Sequence, residues 1–438
     1  MLRLAAYELL RSHETLPLRN LERVAERYEL DARDRAFLRR LVSTVQRRLG
    51  TLRAITVYLS RNRPKPDLGS FVHLGLAQLL FMDRVPDHAA VSETVLATNE
   101  VLGLSKGRYV NGVLRNAIRL RSEGHSGDPR RDLPGIDLHL ETPIFRDPDE
   151  HPLLWGEDAL SMPAPLLKAW TKEFGRERAE ALSLQALGEP PLSVRIVSPK
   201  VETVLAELAA AKLEPLGAGG AMVLFAGSDT VDVLGSDAFR EGRITVQGGA
   251  AHKAATFVEA QPGEEVLDLC AAPGGKTAVL AHSGAQVTAC DTDEGKLDRL
   301  RSTLERLGVA DRVECLESDG SAALGERLFD AALVDAPCSN TGVLGQRPEA
   351  RWRYSPSSKA SLQELQARLF REAADRVRPG GRLVWSTCSL EPGENRAQVR
   401  SFLKERPEWT LQVDELTLPD FAEGPIDGGF AARLVRSS

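Results

Sequence analysis

Asp268-Leu-Cys-Ala-Ala-Pro-Gly-Gly-Lys-Thr277 decides the fold, because it carries an apolar run, Val266 to Cys270, through a glycine turn into a helix start. Doubly wound sheets open onto a nucleotide-like cofactor in this way, since the turn lets backbone N–H groups approach the ligand. The Gly-Gly-Lys-Thr tail imitates a phosphate loop, but that loop needs a glycine five residues before its last one, and Cys270 stands there. A nucleoside triphosphatase is thereby disfavoured. In the dinucleotide pattern an acidic residue about 20 positions further on binds ribose hydroxyls. Asp291, which ends the strand-like run Ala285-Gln-Val-Thr-Ala-Cys290, fits that place.

Outward from this turn, the chain from Gly263 onward alternates strands with helical stretches. The strands are expected at Val266 to Cys270, Val287 to Asp291, Val313 to Leu316, Ala331 to Asp335 and Arg382 to Trp385. That alternation predicts a mostly parallel sheet covered on both faces, with ligands bound at the carboxyl ends of its strands. Two further segments put a cysteine in the turn after a strand: Asp335-Ala-Pro-Cys338-Ser-Asn340 and Ser386-Thr-Cys388-Ser389. A lone cysteine is most often a buried packing residue. Two of them, each just past a strand and one behind Asp-Ala-Pro, point instead to thiol chemistry beside a cofactor. The residues alone do not order the two thiols.

A length of 438 residues suggests about three domains. The longest apolar stretch, Leu74 to Met82, is interrupted by Gln78 and falls well short of the ~20 residues of a membrane span. The N-terminus, Met1 to Glu8, lacks a long apolar core followed by a small-residue cleavage site, so a cytoplasmic location is expected. The cysteines at 270, 290, 315, 338 and 388 have the spacing of neither a zinc ribbon nor a disulfide scaffold, so no metal is expected and a reducing compartment is. Net charge is −6, yet residues 1–122 carry 21 Lys and Arg against 12 Asp and Glu, so the remainder carries −15. A basic face confined to one domain fits a nucleic-acid partner.

Residues 1–122 read as helices throughout. In Phe37-Leu38-Arg-Arg-Leu41-Val42-Ser-Thr-Val45 the apolar residues form one stripe, with Arg39, Arg40, Arg47 and Arg48 off it. Around Val110-Asn-Gly-Val113-Leu114-Arg-Asn-Ala117-Ile118, Arg108, Arg115 and Arg119 line up along one helix side, a row able to track phosphates. Glu123 to Gly135 reads as a linker. A helix-rich segment, Pro163 to Leu187, precedes a strand (Leu192 to Val197), a helix (Val201 to Lys212) and strand-like runs at Ala221 to Ala226 and Arg243 to Gln247. The expected domains are therefore residues 1–122, a linker 123–150, a small α+β module 151–258 and an α/β domain 259–438.

The glycine turn and the two cysteine segments resemble the motifs of RNA (cytosine-5) methyltransferases that use S-adenosyl-L-methionine. Nearly the whole chain is similar to the RsmB/Sun-type 16S ribosomal RNA methyltransferase family. Ser92-Glu-Thr-Val95 and Arg108-Tyr-Val-Asn-Gly-Val-Leu-Arg-Asn116 resemble the NusB-like RNA-binding domain. The resemblance implies a multidomain chain: an all-α NusB-like domain, a ferredoxin-like or RNA-recognition-like module, and a Rossmann-like methyltransferase domain. It also implies Cys388 as nucleophile and Cys338 as the residue assisting release. Asp335 would meet the cytosine edge. Cys270, Ala271, Ala272, Pro273, Gly274, Gly275 and Lys276 would wrap the methionine portion of the cofactor, with Asp335 close by, while Asp291 holds the ribose and Asp319 the adenine. Lys276 would face either a substrate phosphate or a carboxylate. Arg347-Pro-Glu-Ala-Arg351-Trp352 resembles the segment beside the target base, where an arginine and an aromatic suit phosphate contact and stacking.

The family usually carries an aspartate after Val246-Gln247, where this chain has Gly248, and the segment Trp155 to Met162 has no recognised counterpart. The implied partner is 16S ribosomal RNA, modified by a monomer without membrane association. Transfer RNA as substrate, or a non-catalytic RNA-binding assembly factor, are the alternatives.

Overall fold

The structure, a computed structural model, describes residues 1–11, 17–60, 63–420 and 427–438. It divides into two compact units, one of residues 1–189 with 344–354, the other of residues 190–343 with 355–438.

The first unit is helical: α1 (Leu2–Arg11), α2 (Leu21–Arg27), α3 (Ala32–Arg47), α4 (Leu49–Leu59), α5 (Pro66–Phe81), α6 (Asp87–Leu102) and α7 (Leu104–Leu120). The Asp31 side chain starts α3 by accepting from the Asp34 N–H at 2.8 Å, and the α3 stripe Leu38, Leu41, Val42 and Val45 is buried as its spacing predicts. Gly103 at φ +87° separates α6 from α7, a conformation that strains residues with a Cβ. Along α7, Val110, Val113, Leu114 and Ala117 are buried while Arg108, Arg115 and Arg119 stay exposed. Arg47 and Arg48 depart from expectation, for both are buried. Arg47 donates to the Gly345 carbonyl at 2.8 Å, and Arg48 donates to that of Pro134 at 2.7 Å and lies over the Phe81 ring. Their long stems pack as apolar chain and only the guanidinium tips need polar partners.

Residues 123–150, expected as a linker, are ordered into the same core. An antiparallel pair, β1 (Arg121–Glu123) and β2 (Leu138–Leu140), encloses residues 124–137, and Leu133, Leu140 and Phe145 are buried. The turn inside is held by the Asp132 carboxylate, which accepts from the Ser126 N–H at 2.7 Å. Helices α8 (Pro152–Asp158), α9 (Ala164–Phe174) and α10 (Arg176–Gln185) complete the unit, so the helix-rich segment groups with the preceding helices and not with the α+β module. In the segment without counterpart, Ala159, Leu160 and Met162 are buried, and the Ser161 hydroxyl accepts from the Thr51 N–H at 3.1 Å.

The second unit begins with a four-stranded antiparallel sheet of order β4-β5-β3-β6: β3 (Leu192–Ile196), β4 (Gly217–Gly219), β5 (Met222–Phe225) and β6 (Ile244–Val246). Helices α11 (Val201–Ala210), α12 (Thr230–Gly235) and α13 (Asp237–Arg240) lie between these strands in sequence, and α14 (Gly249–Thr256) leads out of β6. There follow β7 (Glu265–Leu269), α15 (Gly275–His282), β8 (Gln286–Asp291), α16 (Glu294–Arg306), β9 (Val313–Glu317), β10 (Phe329–Asp335), α17 (Pro356–Asp375), β11 (Val377–Thr387), α18 (Arg396–Glu405), β12 (Trp409–Thr417) and β13 (Gly429–Arg436).

The large sheet has the order β12-β13-β11-β10-β7-β8-β9, with β7 to β11 parallel and β12 and β13 antiparallel at one edge. Both faces are covered by apolar residues, one around Phe370, Trp385 and Phe402, the other around Val266, Leu300 and Val384. From β7 the chain runs outward through β8 and β9, then returns to β10 on the other side of β7. This reversal opens a crevice at the carboxyl ends of β7 and β10, where the singled-out turns lie. Among the described residues no helix is long and apolar enough to cross a membrane, and no cluster suited to a metal ion occurs.

Candidate active site

The turn after β7 is shaped by two residues in the left-handed region, Cys270 at φ +63° and Gly274 at φ +102°. A Cβ on Gly274 would sit 2.6 Å from Leu300 Cδ1, so glycine is required there for space as well as for conformation. Beneath the turn, Asp268 is fully buried and its carboxylate accepts from the Thr277 hydroxyl at 2.7 Å, tying β7 to α15. Burial pushes the Asp268 carboxyl up to about 7, with the charges of Asp335 and Asp291 adding to it and the Thr277 bond and Lys276 opposing it.

This has a stability consequence. The folded chain keeps a proton on Asp268 in the window from about 4 to about 7 where the unfolded chain has lost it, so stability falls as pH rises through that window. Asp268→Asn mimics the protonated acid and removes that loss. Its melting temperature relative to wild type should therefore rise between pH 4.5 and pH 7.5, by the equivalent of up to about 3 kcal/mol. A pH-independent difference would contradict the assignment.

Asp291 ends β8 with little exposure and organises the turn from the other side. Its carboxylate accepts from the Ala272 N–H at 3.1 Å, the Thr292 N–H at 2.8 Å and Lys296 Nζ at 2.7 Å. Asp319 lies past β9, exposed and paired with Arg368 at 2.8 Å. Cys270, Asp291, Asp319, Pro337, Leu365 and Leu369 line one cavity of about 140 Å³ at the carboxyl ends of the strands. Carboxylates at its edges and an apolar leucine and proline wall suit a nucleoside with ribose hydroxyls and a flat base. The residues present therefore fit an adenosine-bearing cofactor.

On the other side of the turn, Lys276 donates to the Asp335 carboxylate at 2.6 Å. Burial works against the Lys276 charge, but Asp335 first, then Cys388 and Asp268, outweigh it and hold the ammonium above its ordinary range. The thiols of Cys338 and Cys388 meet at 3.2 Å, and Cys388 Sγ also lies 3.2 Å from Asn340 Oδ1. Cys338 is buried and held well above the usual thiol range by its bond to Cys388, then by burial, with the Cys388 and Glu394 charges adding. Cys388 is partly exposed. Burial also raises the thiols of Cys270, Cys290 and Cys315.

Glu394 holds the two cysteine turns together, and sequence reading missed it. Fully buried, its carboxylate accepts from the Ser339 N–H at 3.0 Å, from the Ser339 and Ser389 hydroxyls, and from the Gln366 amide at 3.2 Å. Ser339 follows Cys338 and Ser389 follows Cys388, so one carboxylate fixes both turns. The available signal was Glu391-Pro-Gly-Glu394-Asn395, an acidic run close behind Cys388. Asn340, at φ +59°, was quoted in its motif without a role; its side chain faces Cys388 through Oδ1 and donates to the Cys338 carbonyl at 2.8 Å through Nδ2.

The departure at Gly248 has a structural counterpart. The Asp427 carboxylate occupies the space a Cβ on Gly248 would need, and it accepts from the Ala250 N–H at 3.1 Å at the start of α14. Here the carboxylate at this helix start comes from the C-terminal segment. Gly248→Asp would force a second carboxylate against a buried one, and thermal melting should report a loss of about 1–3 kcal/mol.

Arg351 and Trp352, expected beside the target base, belong to the helical unit. Arg351 is fully buried and donates to the carbonyls of Ala186 at 2.9 Å, Pro348 at 3.1 Å and Arg47 at 3.3 Å. Saturated by carbonyls, it is a packing clamp and cannot reach a phosphate. Trp352 donates its indole N–H to the Gln46 carbonyl at 2.7 Å and carries Arg53 over its ring at 5.1 Å.

Residues 255–425 match the family described as 16S rRNA methyltransferase RsmB/F, and residues 1–119 match the NusB family. The chain is 33% identical over 429 residues to the probable ribosomal RNA small subunit methyltransferase B of Synechocystis sp., covering 94% of this chain and 91% of that one. It is equally 33% identical over 432 residues to ribosomal RNA small subunit methyltransferase B of Vibrio cholerae, covering 94% and 92%. Among solved structures, PH0851 is similar with a TM-score of 0.75 at 24% identity over 99% of this chain and 96% of its own. A methyltransferase homolog protein from Pyrococcus horikoshii has a TM-score of 0.55 at 25% identity over 65% and 99%. With that identity sustained along nearly its whole length, the chain belongs to the family of ribosomal RNA small subunit methyltransferases B.

Proposed function

We propose that the protein transfers a methyl group from S-adenosylmethionine to carbon 5 of a cytosine in small-subunit ribosomal RNA, through a covalent adduct on Cys388. The observation that carries this is the contact of the Cys338 and Cys388 thiols at 3.2 Å, at the ends of adjacent strands and beside the Lys276–Asp335 pair. Carbon 5 of cytosine is a weak nucleophile, and adding a thiolate to carbon 6 turns it into an enamine-like centre. When bound, S-adenosylmethionine supplies the methyl as an electrophile on a sulfonium.

The two thiols differ in the way such a mechanism requires. Cys388 is the more accessible, feels the Lys276 cation, and is placed to act as the thiolate. Cys338 is buried with its Sγ 3.2 Å from Cys388 Sγ, close enough for its thiol proton to stabilise the anion. Asp335, held by Lys276, presents a carboxylate that accepts from the amino edge of the base and stabilises the ring once nitrogen 3 has taken a proton from solvent. After methylation a base must take the proton on carbon 5, so that its electron pair re-forms the carbon 5–carbon 6 double bond and expels Cys388 as thiolate; Cys338, once its own proton has passed to solvent, is the group positioned to take it. Reaching the ring face requires an unstacked nucleotide.

The test is incubation of the protein with methyl-labelled S-adenosylmethionine and protein-free 16S ribosomal RNA, followed by digestion to nucleosides. Label should appear in 5-methylcytidine. Label in another nucleoside overturns the carbon 5 chemistry, and label accepted only by transfer RNA overturns the substrate.

A further inference from the structure

The helical unit contains a cavity of about 450 Å³ that plays no part in the site above. It is walled by α1, α3, α4, α5 and the chain leading into α5. Its volume falls in the range of about 300–1,000 Å³ that holds small organic ligands.

Two kinds of lining meet there. Leu10, Val45, Leu49 and Pro64 give an apolar wall, and Val57, 55% exposed, continues it to the mouth. Arg53 and Arg63 bring two positive charges, neither in an ion pair or hydrogen bond among the described residues. Glu157 exerts a charge on Arg53 from a distance, but its own carboxylate accepts from the Ala164 N–H at 3.3 Å. Arg53 is further fixed over the Trp352 ring. His73, half-buried in the wall, is driven toward its neutral form by burial and then by these two arginines, leaving it one ring donor and one acceptor. The Gln46 side-chain amide and the Ser70 hydroxyl add polar edges.

An apolar slab beside two guanidinium groups without an ion pair or hydrogen bond among the described residues, and a few donors and acceptors, has the chemistry of a nucleotide: a flat base, with phosphate at the arginines. We infer that this cavity is a binding site for a nucleotide of the RNA substrate away from the target base, with Arg53 and Arg63 on its phosphates. This rests on ribosomal RNA being the substrate. The open mouth and the two separate arginines favour a nucleotide within a chain, which carries a phosphate on either side, over a small free ligand.

The cavity can be plugged without touching charge. A Cβ on Gly69 would meet only Pro64 Cγ, at 3.8 Å, so Gly69→Leu should fit the helix and project into the empty space. With full-length protein, filter retention of 16S ribosomal RNA gives the affinity, and methyl transfer gives KM and kcat. Gly69→Leu should weaken binding and raise KM at least about fivefold with kcat within twofold. Arg53→Gln/Arg63→Gln should weaken binding about tenfold or more at low salt and lessen the salt slope of log K by about 1.4, the value for two single-strand phosphates.

Wild-type affinity and salt slope in Arg63→Gln, the double variant and Gly69→Leu alike, with unchanged melting, would overturn the assignment. Loss of binding to free cytidine 5′-monophosphate with undiminished RNA binding would mark a small-nucleotide site and overturn it too. Since retention is read without methyl transfer, a wild type that binds 16S RNA but does not methylate it fails the enzymatic proposal alone, while the variants still decide the cavity.

Discussion

Cys388→Ala should reduce methyl transfer to ribosomal RNA by at least about a thousandfold, because covalent activation of the base is lost altogether. Cys338→Ala should behave differently: methyl transfer proceeds once, release stalls, and the protein accumulates bonded to RNA. The readout is a band of slowed mobility on a denaturing gel after incubation with S-adenosylmethionine and 16S RNA, absent in the double variant. The geometry makes the experiment specific. The thiols are 3.2 Å apart, so either could be mistaken for the other by position, yet Cys338 is buried and Cys388 partly exposed. A trapped adduct in Cys388→Ala and none in Cys338→Ala would reverse the two roles. No adduct in either, with wild-type activity intact, would remove the covalent mechanism.

Glu394→Ala should be nearly as damaging although Glu394 touches no substrate. Its loss strands the Ser339 N–H, two serine hydroxyls and the Gln366 amide inside the fold. Bonds to a buried charged acceptor are worth about 1.5–3 kcal/mol each in favourable cases, so a stability loss of about 3 kcal/mol or more is expected by denaturant unfolding. Because this carboxylate is the anchor the two cysteine turns share, kcat should fall about a hundredfold, the cost of displacing a reacting group by roughly an ångström. Glu394→Gln keeps the shape and one acceptor oxygen, and the serine hydroxyls can rotate to accept from its amide. It should recover much of the stability and part of kcat. If Glu394→Ala kept wild-type kcat in its folded fraction, Glu394 would have no positioning role.

Much of this was readable before the fold was known. The strand, turn and helix rhythm from Val266 onward placed five parallel strands within a residue or two at their ends, the start of the last excepted. β11 begins five residues before the expected Arg382, because its N-terminal part pairs only at Val377 with Phe329 before the register shifts. The edge strands β12 and β13 went unread. Their pattern is weaker, and an antiparallel edge is recognised by its partner more than by its own apolar run. The helical stripes of α3 and α7 were legible because burial on one helix face enforces a 3.6-residue period. What the stripe could not reveal is that Arg47, Arg48 and Arg351 go inside, since a guanidinium is buried only where carbonyls from distant chain converge on it.

By itself, the sequence determined the class of sheet, the glycine turn, and the presence of two thiols in turns at strand ends, because backbone geometry and apolar periodicity are local properties. The tertiary structure alone decided which thiol is the more buried, that Lys276 meets Asp335, that Glu394 joins the two turns, and that Asp427 stands over Gly248. Those are facts about charge, burial and hydrogen-bond partners, and they exist only once residues 50 to almost 180 positions apart are brought within bonding distance.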